Sequence, residues 1–296
     1  STNQPGTDAR IDQYTQFNTP SVSGNATYQT AVLLRQIILD DANGSSNTGT
    51  PPLASIIHAR GGNPLSASNT LRGGDDVTSI TGILDERFEG YRIQSNTPVN
   101  FNAANPRPTG TPNVGGTLKA GFANVLNYFT TFGGSANRGA SDAAEFTRQR
   151  AKVIANLLSM GADIIGLGEV QNNGYGASSA IQDLVNGLND QASTANSYTF
   201  LNAGTTATDA ITVAFVYRPA SVSLVGSPAI LNSTEFASVG RGAIAQTFQQ
   251  LSGRGVLTVV ANHWKSKGGN ATGTDIDAND GQGPHNRSEE RRVGKE

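Results

Sequence analysis

The sequence predicts an α/β sandwich preceded by a β-rich segment. Three observations predict it. From residue 119 onward, short apolar runs alternate with amphipathic helical patterns. Residues 75–94 show strand-like apolar patterning punctuated by Gly82 and Gly90, with no helical period. Between these regions, 103–117 is rich in Pro, Gly, Asn and Thr, the composition of a linker. In this architecture the polar residues at the strand ends share a rim, where chemistry can sit.

The composition bounds the alternatives. A chain of 296 residues and 30.7 kDa holds one large domain or two smaller ones. Only 15% of residues are charged and 36% are hydrophobic, so Asn, Ser and Thr supply much of the surface. No apolar run approaches the ~20 residues of a bilayer-spanning helix. The absence of cysteine excludes disulfides, thiolate metal sites and cysteine nucleophiles. A net charge of −2 gives a nucleic-acid partner no support, but it does not exclude one, because a metal-dependent enzyme needs acidic residues in its site. The chain starts at Ser1 with no apolar leader, which implies a removed signal peptide or a fragment.

The elements read in order as follows. Ala31-Val-Leu-Leu-Arg-Gln-Ile-Ile-Leu39 is compatible with strand or helix. Val77, Ile80, Ile83 and Leu84, followed by Phe88, Tyr91 and Ile93, predict two short strands joined by turns. Lys119 to Phe129 predicts a strand ending in polar residues. Asp142-Ala-Ala-Glu145 matches a helix capping box, and Phe146, Val153, Ile154, Leu157 and Leu158 follow at helical spacing until Gly161. Asp163 to Glu169 predicts a buried strand. Ile181, Leu184, Val185 and Leu188 predict a second amphipathic helix after Ser178-Ser179. Ile211 to Tyr217 is apolar on both alternations, as in a strand covered on both faces, and Val256 to Ala261 reads the same way.

Polar clusters close these apolar runs: Asn124-Val-Leu-Asn127, Gly168-Glu169-Val-Gln-Asn172, and Asn262-His263-Trp-Lys265-Ser-Lys267. A carboxylate just past a buried strand is rigidly held and reaches a cleft. Such an oxygen ligand suits Mg²⁺, which takes one or two carboxylates and keeps its waters. Hydrolysis of a phosphodiester needs its charge neutralised, a water oriented and the leaving oxygen stabilised. Amide, imidazole and ammonium groups beside a metal supply those functions. Asp275, Asp277, Asn279 and Asp280 alternate like the start of a calcium loop, but Gly281 is one place late and no suitably spaced Glu follows, which favours a flexible acidic loop.

In order, Asn124-Val-Leu-Asn-Tyr-Phe129, Arg138-Gly-Ala140, Glu145-Phe-Thr-Arg-Gln149, Asp163 to Asn172, Ala180 to Asn189, Tyr217-Arg-Pro219, Ala245-Gln-Thr-Phe248 and Asn262 to Gly268 resemble the endonuclease/exonuclease/phosphatase superfamily. The similar branch is the secreted bacterial extracellular nucleases. The resemblance covers about 118 to 286. It implies a four-layer α/β sandwich, here partial with its second half missing, preceded by the tail of an OB-like β domain. The implied division is 1–102 OB-like, 103–117 linker, 118–286 nuclease-type domain and 287–296 a non-native tail. That tail, Arg287 to Glu296, has seven charged residues in ten and is similar to a sequencing-library adapter translated in frame.

The resemblance also implies roles. Glu169 would bind the metal, Mg²⁺ or else Ca²⁺ or Mn²⁺. Asn124 and His263 would be catalytic, Asn124 arranging metal and phosphate and His263 contacting the scissile phosphate. Asn262, Lys265, Arg138 and Arg148 would bind substrate, which would be DNA or RNA. The protein would work outside the cell, without a membrane partner. Two family features are absent: a Gly-Asp-aromatic-Asn motif and a terminal Asp-His pair, since His58, His263 and His285 do not follow Asp. The chain is therefore expected to lack its general base and to be inactive. The sandwich's second sheet is expected beyond a break near Asn286, leaving a face of Ile211–Tyr217 uncovered. The alternatives are a non-catalytic OB-like binding module, or a phosphodiesterase of the same superfamily acting on a lipid or inositol phosphate.

Overall fold

Capping chemistry sets the two helices that frame the later part of the chain. The computed structural model describes residues 11–44, 58–66, 68–87, 90–106, 108–133, 138–204, 208–232 and 241–263. Helix α2 covers Ala143–Met160 and helix α3 covers Ala180–Gln191; α1 (Val22–Leu33) lies earlier. At α2 the Asp142 carboxylate accepts the Glu145 N–H at 2.8 Å. Glu145 does not return the bond to Asp142 as a capping box would. Its Oε2 accepts from the Ser141 N–H at 2.8 Å and the Ser141 hydroxyl at 2.6 Å instead, which holds its carboxyl below the usual range. Gly161 ends the helix at φ 57°, a left-handed cap that glycine adopts without a Cβ clash. Ser179 caps α3 by accepting from the Gln182 N–H.

The chain divides into two compact units, with the boundary between Thr109 and Gly110. The Pro- and Gly-rich stretch is shared out between them. Asn105 donates to Gly73 O and Pro106 O accepts from Arg72 in the first. In the second, Thr111 donates to Ser159 O, and Thr117 Oγ1 accepts from Gln250 at 3.1 Å.

The second unit is a mixed α/β assembly of three layers among the described residues. Strands β6 (Ala120–Tyr128), β7 (Ile164–Gln171), β8 (Thr199–Phe200) and β9 (Ile211–Tyr217) form one sheet in the order β6-β7-β9-β8. β6 and β7 are parallel, and the other pairs are antiparallel. Strands β10 (Val222–Leu231), β11 (Ala243–Gln250) and β12 (Val256–Ala261) form an antiparallel second sheet. Alternation along β7 makes two cores. Ile165 and Leu167 pack with Ile154, Leu157, Leu184 and Leu188 of the helices. Ile164 packs between the sheets with Val213, Phe215, Ile244, Phe248 and Ala261. Phe215 and Phe248 meet edge-on at 5.9 Å, a pairing worth about 0.5–1.5 kcal/mol beyond area burial.

This second sheet overturns the expectation of an uncovered face. Phe215 and Val216 of β9 are fully buried, one against each layer. Strands β10 and β11 escaped the pattern reading because polar residues interrupt both of them. β12 forms where expected, but it is not covered on both faces. Val256, Leu257 and Val260 are exposed.

The first unit contains β1 (Ile38–Asp40), β2 (Ala59–Arg60), β3 (Ile83–Arg87), β4 (Gly90–Gln94) and β5 (Asn100–Phe101). They make a sheet β1-β4-β3 and a pair β2-β5. The ambiguous run 31–39 splits, with its start completing α1 and its end entering β1. β3 and β4 pair antiparallel, and Val77 and Ile80 lie outside them. Among the described residues, two ion pairs join separate segments of this unit. Arg60 forks onto Asp75 at 2.8 and 2.9 Å, and Arg92 reaches Asp40 at 2.7 Å.

Candidate functional site

The site is built where two neighbouring strands bulge together. Between β6 and β7 the register runs from Asn124↔Gly168 to Tyr128↔Val170, so three residues of β6 face one of β7. Between β7 and β9 it jumps from Leu167↔Ala214 to Val170↔Thr212. Glu169 is therefore squeezed out of both ladders, inside β7 rather than beyond its end. Its φ is 67°, while Leu126 and Asn127 opposite have φ 57° and 49°. Left-handed backbone costs a residue with a Cβ roughly 1–2 kcal/mol. Only two other described non-glycine residues, Ala42 and Arg254, have positive φ. Strain thus gathers at this point, a distribution associated with functional sites.

The bulges direct three groups onto one carboxylate. Asn124 Nδ2 donates to Glu169 Oε1 at 2.7 Å, and the Asn127 N–H donates to Oε2 at 3.0 Å. Asn124 Oδ1 accepts the Leu126 N–H at 2.8 Å, which orients the amide. His263, two residues past β12, places Nε2 at 3.3 Å from Oε1. Glycine allows that approach. A Cβ on Gly168 would stand 3.1 Å from Phe122 Cζ and 3.2 Å from His263 Cδ2. The Nδ1 atom of His263 is buried with no hydrogen-bond partner among the described residues.

The donor set can be compared with the needs of a divalent cation. Glu169 is 18% exposed, and each carboxylate oxygen retains accepting capacity beside its protein donors. Among the described residues no group of three or more His, Asp and Glu gathers. One anchored carboxylate fits Mg²⁺, which keeps several waters, better than Ca²⁺, which collects about six to eight oxygens. Glu169 would hold that ion, with Asn124 and the Asn127 amide fixing the carboxylate's direction.

A polar rim continues from β7. Gln171 Oε1 accepts the Thr130 N–H at 2.9 Å, and Asn172 Nδ2 donates to Asp209 O at 3.0 Å. Asp209 receives two arginines, Arg138 at 3.1 Å and Arg241 at 2.8 Å, leaving a net positive cluster. Gly139 lets the Arg138 segment approach the bulge: a Cβ there would stand 2.8 Å from Asn127 O. Arg148 is exposed on α2, where its charge acts on Glu145. Asn262 is half-buried next to His263. Lys265, Lys267, the acidic stretch 275–281, His285 and the segment 287–296 lie outside the described residues.

Sequence reasoning missed Asn127 as a backbone donor, along with Arg241 and Asp209. It also missed the support beneath the bulge. Tyr128, fully buried, donates to Asp183 Oδ2 at 2.5 Å, and Arg150 Nε reaches the same oxygen at 2.9 Å. Burial first, then Asp183, pushes the Tyr128 hydroxyl well above the usual tyrosine range, so it stays a donor. Asp183 stood within the quoted motif Ala180 to Asn189, but no local signal paired it with Tyr128.

No protein-family model and no curated protein matches this chain. Solved structures do resemble it in part. One is an endonuclease/exonuclease/phosphatase family protein from Bacteroides thetaiotaomicron, 14% identical over 48% of this chain and 49% of that one, with a TM-score of 0.34. Another is the human Nocturnin catalytic domain with bound sulfate, 15% identical over 48% of each chain, with a TM-score of 0.33. A third is ANGEL2, a 2′,3′-cyclic phosphatase, 16% identical over 48% of this chain and 39% of that one, with a TM-score of 0.31. The matched part thus spans about half of the first two structures and less of the third. No helix among the described residues is long and apolar enough to cross a membrane.

Proposed function

We propose that the second unit belongs to a Mg²⁺-dependent phosphodiesterase of the endonuclease/exonuclease/phosphatase superfamily, acting on nucleic acid outside the cell. The observation that carries this reading is the convergence of Asn124, the Asn127 amide and His263 on the bulged Glu169 carboxylate. Glu169 would hold the metal, and the metal would supply charge neutralisation at the phosphate. Asn124 keeps that carboxylate aimed. His263 stands beside it to donate to a phosphate oxygen. Arg138 and Arg241 offer positive charge along the same rim, in keeping with a polyanionic substrate. The string Asn262-His-Trp-Lys-Ser-Lys267 supports the extracellular nuclease branch and a nucleic-acid substrate.

The test is a Mg²⁺ titration by calorimetry with a cleavage assay on plasmid, single-stranded DNA and RNA. Glu169→Gln should abolish Mg²⁺ binding at this site while the urea midpoint changes little. His263→Ala should leave Mg²⁺ binding in place and remove whatever cleavage the chain shows. Full Mg²⁺ binding and cleavage by Glu169→Gln would overturn the assignment.

A further inference from the structure

We infer that Gln149 is a positioning residue that clamps the left-handed turn aiming the Glu169 carboxylate. Its toward-metal role rests on the function proposed above; its geometry does not. Gln149 lies in the second turn of α2, a helix fixed at both ends by Asp142 and Gly161. From there its side-chain amide donates to Leu126 O at 2.6 Å and reaches Val125 O at 3.4 Å. Those carbonyls belong to the bulge itself. Leu126 and Asn127 are consecutive left-handed residues, neither of them glycine. Such a pair does not hold its shape unaided and persists only where the surroundings over-determine it.

Three contacts around the turn do so. Asn124 Oδ1 holds the Leu126 N–H from inside, Tyr128 anchors the exit through Asp183, and Gln149 holds the Leu126 carbonyl from the helix. The Leu126 side chain contributes little, since it is 71% exposed. The peptide that joins Leu126 to Asn127 carries both critical atoms. Its oxygen takes the Gln149 amide and its N–H takes Glu169 Oε2. A peptide unit is planar, so fixing the oxygen fixes the direction of the N–H. Gln149 therefore sets the aim of Glu169 without touching it.

The experiment compares Gln149→Ala and Gln149→Met in the full chain. Met keeps the side chain's length but cannot donate. Urea unfolding first verifies that each variant folds. Hydrogen exchange at the Asn127 amide is then measured, with calorimetric Mg²⁺ titration beside it. Both variants should speed Asn127 exchange by about tenfold. Both should weaken Mg²⁺ binding by about tenfold or more, the usual effect of losing a group that orients a metal ligand. Adding Leu126→Gly should restore part of both losses, because glycine takes the left-handed conformation without the Cβ penalty. A glutamine that only stabilised α2 would not be rescued by a change in the β6 turn. Unchanged Asn127 exchange in both variants would overturn the clamp, whatever the chain binds. Faster exchange in a chain that binds no Mg²⁺ even unmutated would retain the clamp and remove the metal reading.

Discussion

Gly168→Ala isolates the close approach on which the site depends. The added Cβ would meet Phe122 Cζ at 3.1 Å and His263 Cδ2 at 3.2 Å. Carbon atoms prefer about 3.5–4.0 Å, so each neighbour must retreat by a few tenths of an ångström. Phe122 is half-exposed and can move. His263 has less freedom. Its 3.3 Å contact with Glu169 is already at the long end of a hydrogen bond, and such a retreat breaks it. Overpacking costs about 1–3 kcal/mol, and losing a glycine from the unfolded chain returns about 0.4–1 kcal/mol. The fold should therefore survive with at most about 2.5 kcal/mol lost. Gly176→Ala is the control, because nothing lies within 4 Å of a Cβ there. The assays are urea unfolding and the ¹⁵N chemical shift of His263 Nε2. Gly168→Ala should shift that resonance while Gly176→Ala leaves it in place. An unshifted His263 in a fully stable Gly168→Ala protein would refute the claim that glycine makes room for the histidine.

Four further outcomes follow from the same geometry. Tyr128→Phe removes a donor to Asp183 and should cost about 0.5–1.5 kcal/mol in urea unfolding, with Arg150 still holding the carboxylate. Asp142→Ala strips the cap of α2 and should cost about 1 kcal/mol by the same measurement. In the first unit, Arg60 chiefly holds Asp75, and Arg92 chiefly holds Asp40, below the usual carboxylate range. Carboxyl groups with lowered folded values stabilise above the unfolded value and lose that contribution as pH falls through the folded one. Hydrogen-exchange protection factors across residues 58–106, taken relative to the intrinsic rate at each pH, should therefore fall below about pH 4, and less steeply so in Asp75→Asn. Lastly, on the proposed function the general base would be the histidine of an Asp-His pair, and no histidine in the sequence follows Asp; lacking such a base costs about 10²–10⁴-fold, so Mg²⁺-dependent cleavage by the 296-residue chain should be slow. Rapid turnover in the plasmid assay would show that the chain holds its own base.

What could be read from the sequence follows the range of each signal. The α2 cap and stop are local, so Asp142 and Gly161 announced them within a single turn. The buried strands β7 and β9 were legible because burial on both faces writes an unbroken apolar run. β10 and β11 were not, although they close the inter-sheet core. Their burial is one-sided, and Gly226, Pro228 and Gln246 break the alternation. Gln246 shows why: it is fully buried, yet its amide serves the carbonyls of Val225 and Gly226 at the β10 bulge. A polar residue that satisfies a bulge looks, in sequence, like a surface residue.

The site was legible as residue types and illegible as geometry, for a definite reason. A Glu closing an apolar run, an Asn and a His can be picked out as candidates because their chemistry is carried by side chains. The aim of Glu169 is carried by backbone. Its φ of 67°, and those of Leu126 and Asn127, belong to residues with no conformational signature for the left-handed region beyond the asparagine itself. Glycine at those positions would have advertised the turn; leucine and glutamate conceal it. The strain must then be held from outside, by Gln149 on one helix and by Asp183 on the other, through Tyr128. Those partners are separated from the bulge by 23 and 55 residues along the chain. Non-glycine residues in a strained turn therefore push the information about a site away from the site. The neighbouring helices α2 and α3 are part of the candidate active centre even though neither reaches the carboxylate.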